Sequence, residues 1–217
     1  MEVKDLLNLE RNDVTLVAVS KTKPIEEIKK KYNKGFINFG ENRVNELVQK
    51  FNLLPKDINW HMIGHLQTNK VKKIIPFISL IHSVDSLKLI DKIENESEKF
   101  DKKTNILLQV HIAKEKSKYG FNFEEVRDFF KNQLDESYKN INIVGLMGMA
   151  TFTNNKNQIK NEFKKLKILY DEIKSISQKN NQKIKILSMG MSNDYKIAIE
   201  EGSNMVRIGS LIFGERD

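Results

Sequence analysis

Eight short apolar runs recur along this chain, at residues 15–20, 36–39, 59–63, 79–83, 105–112, 141–147, 185–188 and 205–208, with longer segments of helical spacing between them. Runs that are apolar on both faces suit strands covered on both sides, and an intervening helix returns the chain for a parallel neighbour. Eight such units predict a closed α/β barrel of the (β/α)8, or TIM, type. An open doubly wound sheet is the alternative, but that fold usually carries a glycine-rich first turn, and the first strand here runs into Ser20-Lys21-Thr22-Lys23. The clearest helical stripe is Ile159, Phe163, Leu166, Tyr170, Ile173 and Ile176; Leu87, Ile90 and Ile93 make a second, and Val126, Phe129, Phe130 and Leu134 a third. Pro24 suits a first helical turn, and Gly35 and Gly202 suit C-terminal caps. The polar stretches 154–158 and 178–182 read as loops flanking the long helix. No repeat or linker divides the chain, so one domain over residues 1–217 is expected.

Composition narrows the partners. The 37 basic and 29 acidic residues leave a net charge of +8, which raises the question of nucleic acid. The excess is lysine scattered over polar helix faces, with arginine only at 11, 43, 127, 207 and 216, and arginine is the better reader of phosphates and bases. Nucleic-acid binding is not expected. There is no cysteine, so disulfides and thiolate metal sites play no part. The N-terminus has no apolar stretch suited to a signal peptide or a membrane span, and a cytoplasmic protein without membrane attachment is expected.

The polar residues that could carry chemistry fall at strand ends, where barrel enzymes and binding proteins place their sites. Lys21 closes the first strand. An amine held partly out of water beside another cation such as Lys23 can become a nucleophile toward an aldehyde, although many strand-end lysines are merely solvated. After the seventh strand comes Ser188-Met189-Gly190-Met191-Ser192, in which Ser192 can cap a helix through 197–201, and a helix N-terminus favours a phosphate. After the eighth comes Arg207-Ile208-Gly209-Ser210, where Gly209 admits close approach of an anion and Ser210 offers a hydroxyl. Alternation along that strand points Met205, Arg207 and Gly209 inward, so Arg207 needs either an internal salt bridge or a ligand atom. The turn Gly40-Glu41-Asn42-Arg43 offers Asn42 as a side-chain donor or a helix cap. His61 and His65 lie four apart on a strand, roughly 13 Å from each other, too far to share a metal; His61 is expected to face the barrel interior and His65 to act as a loop donor. Neither a nucleophile elbow nor a Gly-x-x-x-x-Gly-Lys phosphate loop is present.

The segments Val19-Ser20-Lys21-Thr22-Lys23-Pro24, Gly40-Glu41-Asn42, Trp60-His61-Met62-Ile63-Gly64-His65-Leu66-Gln67 with Asn69-Lys70, Gly145-Leu146-Met147, Ser188 to Ser192 and Arg207 to Gly214 resemble the pyridoxal phosphate homeostasis proteins, the YggS/PROSC family, over the whole chain. The resemblance implies a metal-free barrel like the N-terminal domain of alanine racemase that carries pyridoxal 5'-phosphate (PLP). It implies Lys21 as the residue forming the Schiff base with the cofactor, Asn42 nearby, Ser192, Gly209 and Ser210 at the phosphate, and Arg207 at the pyridine nitrogen. A permanently charged guanidinium there weakens the ring as an electron sink. Ser210 stands where the family often has threonine, and the segment before the first strand is short, so a reduced N-terminal helix is expected. Residues 211–217 are all that follow the last strand, so the second domain that completes a racemase site is not expected. The resemblance therefore implies a PLP carrier, not an enzyme, that buffers the cofactor or delivers it to apo PLP-dependent enzymes, with a monomer expected.

Overall fold

The computed structural model describes residues 13–115, 119–133, 138–179 and 183–214. Strands β1 (Thr15–Val19), β2 (Asn38–Glu41), β3 (Asn59–Met62), β4 (Leu80–Val84), β5 (Thr104–Val110), β6 (Ile141–Gly148), β7 (Ile186–Ser188) and β8 (Met205–Ile208) pair in sequence order, all parallel, and β8 pairs with β1 to close the barrel. Around it lie helices α1 (Ile25–Tyr32), α2 (Val44–Leu53), α3 (Leu87–Lys99), α4 (Phe123–Asp128), α5 (Lys156–Lys179), α6 (Tyr195–Glu200) and α7 (Ser210–Phe213), with a 3-10 segment, Thr68–Lys73, between β3 and β4.

The expected α/β barrel and its eight strands are present, with shifts that have physical causes. β2 lies two residues later than the apolar run 36–39, because Phe36 is apolar in order to pack in the core and pairing starts only after it. Gly40 and Glu41 consequently belong to the strand and not to a turn; a Cβ at Gly40 would press on Val17 and Ile63 at 3.0–3.1 Å. Pro24 stands one residue before α1, as its N-cap. Gly35 and Gly202 do end their helices in left-handed backbone, with φ of 96° and 94°. Along α3, Leu89 takes the buried position and Leu87 is exposed. Residues 156–158 form the first turn of α5 instead of a loop, where Asn155 Oδ1 accepts from the backbone N–H of Gln158 at 3.1 Å, and the helix runs on to Lys179. The stripe from Ile159 to Ile176 packs against the barrel as expected. Residues 1–12, where the reduced helix is expected, together with Leu134 and 180–182, lie outside the described residues.

Alternation along the strands separates two apolar populations. Leu16, Ala18, Phe39, Trp60, Met62, Ile81, Leu146, Val206 and Ile208 face the helices, whereas Val17, Leu80, Leu107, Val144, Met147 and Met205 form a separate cluster inside the barrel. β6 keeps this pattern only by a bulge. Ile106 pairs with Ile143 but Leu107 with Gly145, leaving Val144 as an extra residue, and beyond it Met147 turns inward. Gly145 is tight against β7, since a Cβ there would lie 1.8 Å from the carbonyl oxygen of Ile186. Gly145→Ala is expected to destabilise the protein by about 3 kcal/mol or to prevent folding, as read by urea unfolding; a change under about 1 kcal/mol would show that the β6–β7 pairing yields easily.

Candidate functional site

β1 delivers Lys21 to the C-terminal mouth of the barrel. The turn that follows is closed by the backbone N–H of Lys23 donating to the carbonyl of Ser20 at 3.0 Å, with Thr22 at φ 66°. Left-handed backbone at a β-branched residue costs roughly 1–3 kcal/mol and persists only where the surroundings hold it. The holding groups are identifiable. Ser20 Oγ donates to Glu41 Oε1 at 2.6 Å, Lys50 Nζ donates to the Ser20 carbonyl at 2.7 Å, and the Thr22 N–H donates to Glu46 Oε1 at 2.6 Å. Lys23 Nζ donates to the carbonyl of Phe213 at 3.1 Å, tying the turn to α7. Burial pushes the Glu41 carboxyl up to about 7 against the pull of Lys50 and Ser20, and its Oε2 is buried without a hydrogen-bond partner.

The loops after β7 and β8 approach the same mouth. Ser192 is not the cap of α6; that helix begins at Tyr195 with Asp194 before it, and Asp194 Oδ1 accepts from the Met191 N–H at 2.6 Å. Gly190, at φ 98°, forces this early turn, and a Cβ there would lie 2.6 Å from that of Ala198. Ser192 Oγ instead accepts from the backbone N–H of Gly209 at 3.2 Å, joining the two loops. A Cβ on Gly209 would meet nothing of the protein closer than 3.5 Å, so the chain's own packing does not require glycine here. The open side of that residue faces the cavity.

Arg207 points inward, as strand parity predicts, and is 4% exposed. No carboxylate reaches it among the described residues. Its Nη1 donates to the carbonyl and Oγ of Ser188 at 2.9 and 2.7 Å, and its Nη2 to the Gly148 carbonyl at 3.1 Å. From Ser188 a buried chain continues to His82 Nδ1 at 3.1 Å and from His82 Nε2 to His61 Nδ1 at 2.9 Å. Burial lowers the Arg207 guanidinium to about 10, with Asp194 acting in the opposite direction, which still leaves it charged at neutral pH. Burial holds His61 down at about 4 and His82 well below the usual imidazole range, so both rings are neutral. With Ser188 accepting from Arg207, it can donate onward to His82 and His82 to His61, a single direction that gives each bond of the chain one donor and one acceptor.

Above this layer opens a cavity of about 700 Å³, and all six residues expected from the sequence, Lys21, Asn42, Ser192, Arg207, Gly209 and Ser210, line it. Asn42 Oδ1 is buried with no hydrogen-bond partner, and Gly64 packs against the Asn42 main chain so closely that a Cβ would come within 2.5 Å of its carbonyl oxygen. A concave site with an amine at the end of β1, a charged guanidinium on the floor and two serine loops on the neighbouring strands β7 and β8 fits a phosphorylated heteroaromatic aldehyde. His61 does face the interior. His65 lies in a loop, bonded to Asp85 at 2.9 Å and stacked on Tyr119. Among the described residues no three His, Asp or Glu side chains are grouped to hold a metal ion, and no helix is long and apolar enough to cross a membrane. Sequence reasoning missed His82, Ser188, Glu46 and Lys50. His82 shares the inward parity of His61, and the spacing of four between Glu46 and Lys50 on α2 is a helical ion-pair signal, so both had traces in the sequence.

This barrel is of the class defined by the alanine racemase N-terminal domain, whose family matches residues 3–217. Within that class, the chain belongs to the pyridoxal phosphate homeostasis protein family. It is 39% identical over 206 residues to the pyridoxal phosphate homeostasis protein of Aquifex aeolicus, covering 94% of this chain and 88% of that one. It is 41% identical to the Helicobacter pylori protein of the same name, covering 93% and 88%. In structure it is similar to PipY of Synechococcus elongatus PCC7942, solved without PLP (TM-score 0.88, 30% identity) and with PLP bound (TM-score 0.85, 31% identity), each covering 98% of this chain and 100% of that chain.

The neutral imidazoles make stability depend on pH. The unfolded chain takes up a proton on His61 near 6.5, and the folded chain only near 4. Its contribution is therefore complete above pH 6.5 and is lost as pH falls toward 4, by roughly 3 kcal/mol in all. Glu41, raised to about 7, acts in the opposite sense: the unfolded chain releases this proton near 4.5 and the folded chain only near 7, so its contribution is complete below pH 4.5 and is lost as pH rises toward 7. Urea unfolding from about pH 7 to about pH 5 is expected to show a shallower acid decline for His61→Asn than for wild type; parallel curves would mean that His61 takes up its proton as readily in the folded chain as in the unfolded one.

Proposed function

We propose that this chain binds pyridoxal 5'-phosphate and serves in intracellular PLP homeostasis, holding the cofactor reversibly on Lys21 and buffering it or passing it to apo PLP-dependent enzymes. The observation that carries this reading is the convergence of six residues from four separate parts of the chain on one cavity, with the amine at the end of β1 and the two last loops beside it. The bound cofactor would supply an aldehyde able to condense reversibly with an amine, and a phosphate dianion. Lys21, half-buried at the end of β1, presents the amine. Ser192, Ser210 and the backbone around Gly209 offer hydroxyl and amide donors to the phosphate. Asn42 brings a buried acceptor that a ligand group could satisfy. Arg207 offers N–H donors and no acceptor, so it keeps a facing ring nitrogen unprotonated, which suits holding more than carbanion chemistry.

A racemase-like enzyme is the competing reading, and it needs an acid or base facing the amine. None of the five tyrosines lines the cavity, and among the described residues the one lining carboxyl group, that of Asp194, accepts from the Met191 backbone. This supports a carrier. The same reading takes the chain as one PLP-binding barrel over residues 1–217, acting as a cytoplasmic monomer without nucleic-acid or membrane partners. Reduction with borohydride in the presence of PLP, followed by peptide mapping, is expected to label Lys21, and Lys21→Ala is expected to stay colourless. Label on another lysine would move the site, and no label would remove the cofactor. Transfer to an apo-enzyme faster than spontaneous release separates delivery from storage.

A further inference from the structure

Outside the cavity wall, Lys50 on α2 stands between two carboxylates, 2.8 Å from Glu41 Oε1 and 2.7 Å from Glu46 Oε1. None of the three residues lines the cavity. Among the described residues their remaining side-chain bonds go to the residues on either side of Lys21: Glu41 accepts from the hydroxyl of Ser20, Lys50 donates to the Ser20 carbonyl, and Glu46 accepts from the N–H of Thr22. The two peptide units flanking Lys21 are thus fastened from the helix layer, and Thr22, directly after them, is kept in left-handed backbone. A strained residue beside a functional side chain needs such restraint to remain there. A plain structural ion cluster would have no reason to spend its donors and acceptors on both sides of one residue. Resting on the reading that Lys21 captures PLP, we propose that Glu41, Glu46 and Lys50 are positioning residues, a clamp that aims the Lys21 amine into the cavity and sets how fast it captures an aldehyde, without taking part in phosphate binding.

The experiment compares PLP with pyridoxine 5'-phosphate, which has the same ring and phosphate but an alcohol in place of the aldehyde. Stopped-flow absorbance and borohydride trapping read capture at Lys21, and calorimetry reads pyridoxine 5'-phosphate affinity. Lys50→Met and Glu46→Ala are expected to slow capture roughly ten- to a hundredfold, with pyridoxine 5'-phosphate affinity unchanged. Glu46→Gln, which retains an acceptor for the Thr22 N–H, is expected to restore most of the rate. Equal losses for both ligands would overturn the clamp in favour of general structural damage, as would full capture by both Lys50→Met and Glu46→Ala. If Lys50→Met does not fold, Glu46→Ala decides, because Glu46 is partly exposed and loses less on truncation. No capture by the unmodified chain would overturn the cofactor reading and the clamp with it, whereas normal capture by wild type and by Glu46→Ala would overturn the clamp alone.

Discussion

The pairing of β1 with β8 is the constraint on which the site depends. It sets Val17 beside Arg207 and Ala18 beside Ile208, so the first strand and the last end at the same height. From that register the Lys21 turn and the Gly209–Ser210 loop face one opening, although nearly the whole chain separates them. Closure also removes sheet edges, leaving no strand with an unpaired row of backbone groups. The mouth can therefore be built from irregular turns because the cylinder beneath it is fully bonded.

Inside the cylinder, charge is handled in two ways. The imidazoles of His61 and His82 give up their protons, the cheaper course for a group whose ordinary value is near neutrality. A guanidinium has no such course, so Arg207 takes its acceptors from Ser188 and from the Gly148 carbonyl. Because those acceptors are neutral, its positive charge is not cancelled by contact and remains available to the cavity. The apolar layer of Val17, Leu80, Leu107, Val144 and Met205 supports this polar layer from below and excludes water from it.

Much of this was legible in the sequence. Parity along β8 was enough to turn Arg207 inward, and position at strand ends brought Lys21, Asn42 and Ser210 forward as candidates; the family motifs then joined them in one site. What escaped depends on register between distant strands. Displacing β2 by two residues converts Glu41 from a turn residue into a strand residue, and only then does it meet Ser20 and Lys50. The bond between Ser192 and Gly209 is likewise a meeting of two loops, which a local reading of Ser192 as a helix cap could not anticipate. The ends of α5 were misread because Asn, Gln and Lys are tolerated in helices as readily as in loops when an apolar stripe supplies the stabilisation.

The supernumerary residue in β6 carries a further meaning. Surface connections of this barrel can lengthen or shorten with little effect on what lies beneath, but the phase of this strand cannot slip. Removing one position near Val144 would rotate everything downstream by half a turn, aim Met147 at the helices and withdraw the Gly148 oxygen from the guanidinium it serves. The electrical character of the pocket floor thus rests on a count of residues in a neighbouring strand, a dependence that a survey of the pocket lining alone would never reveal.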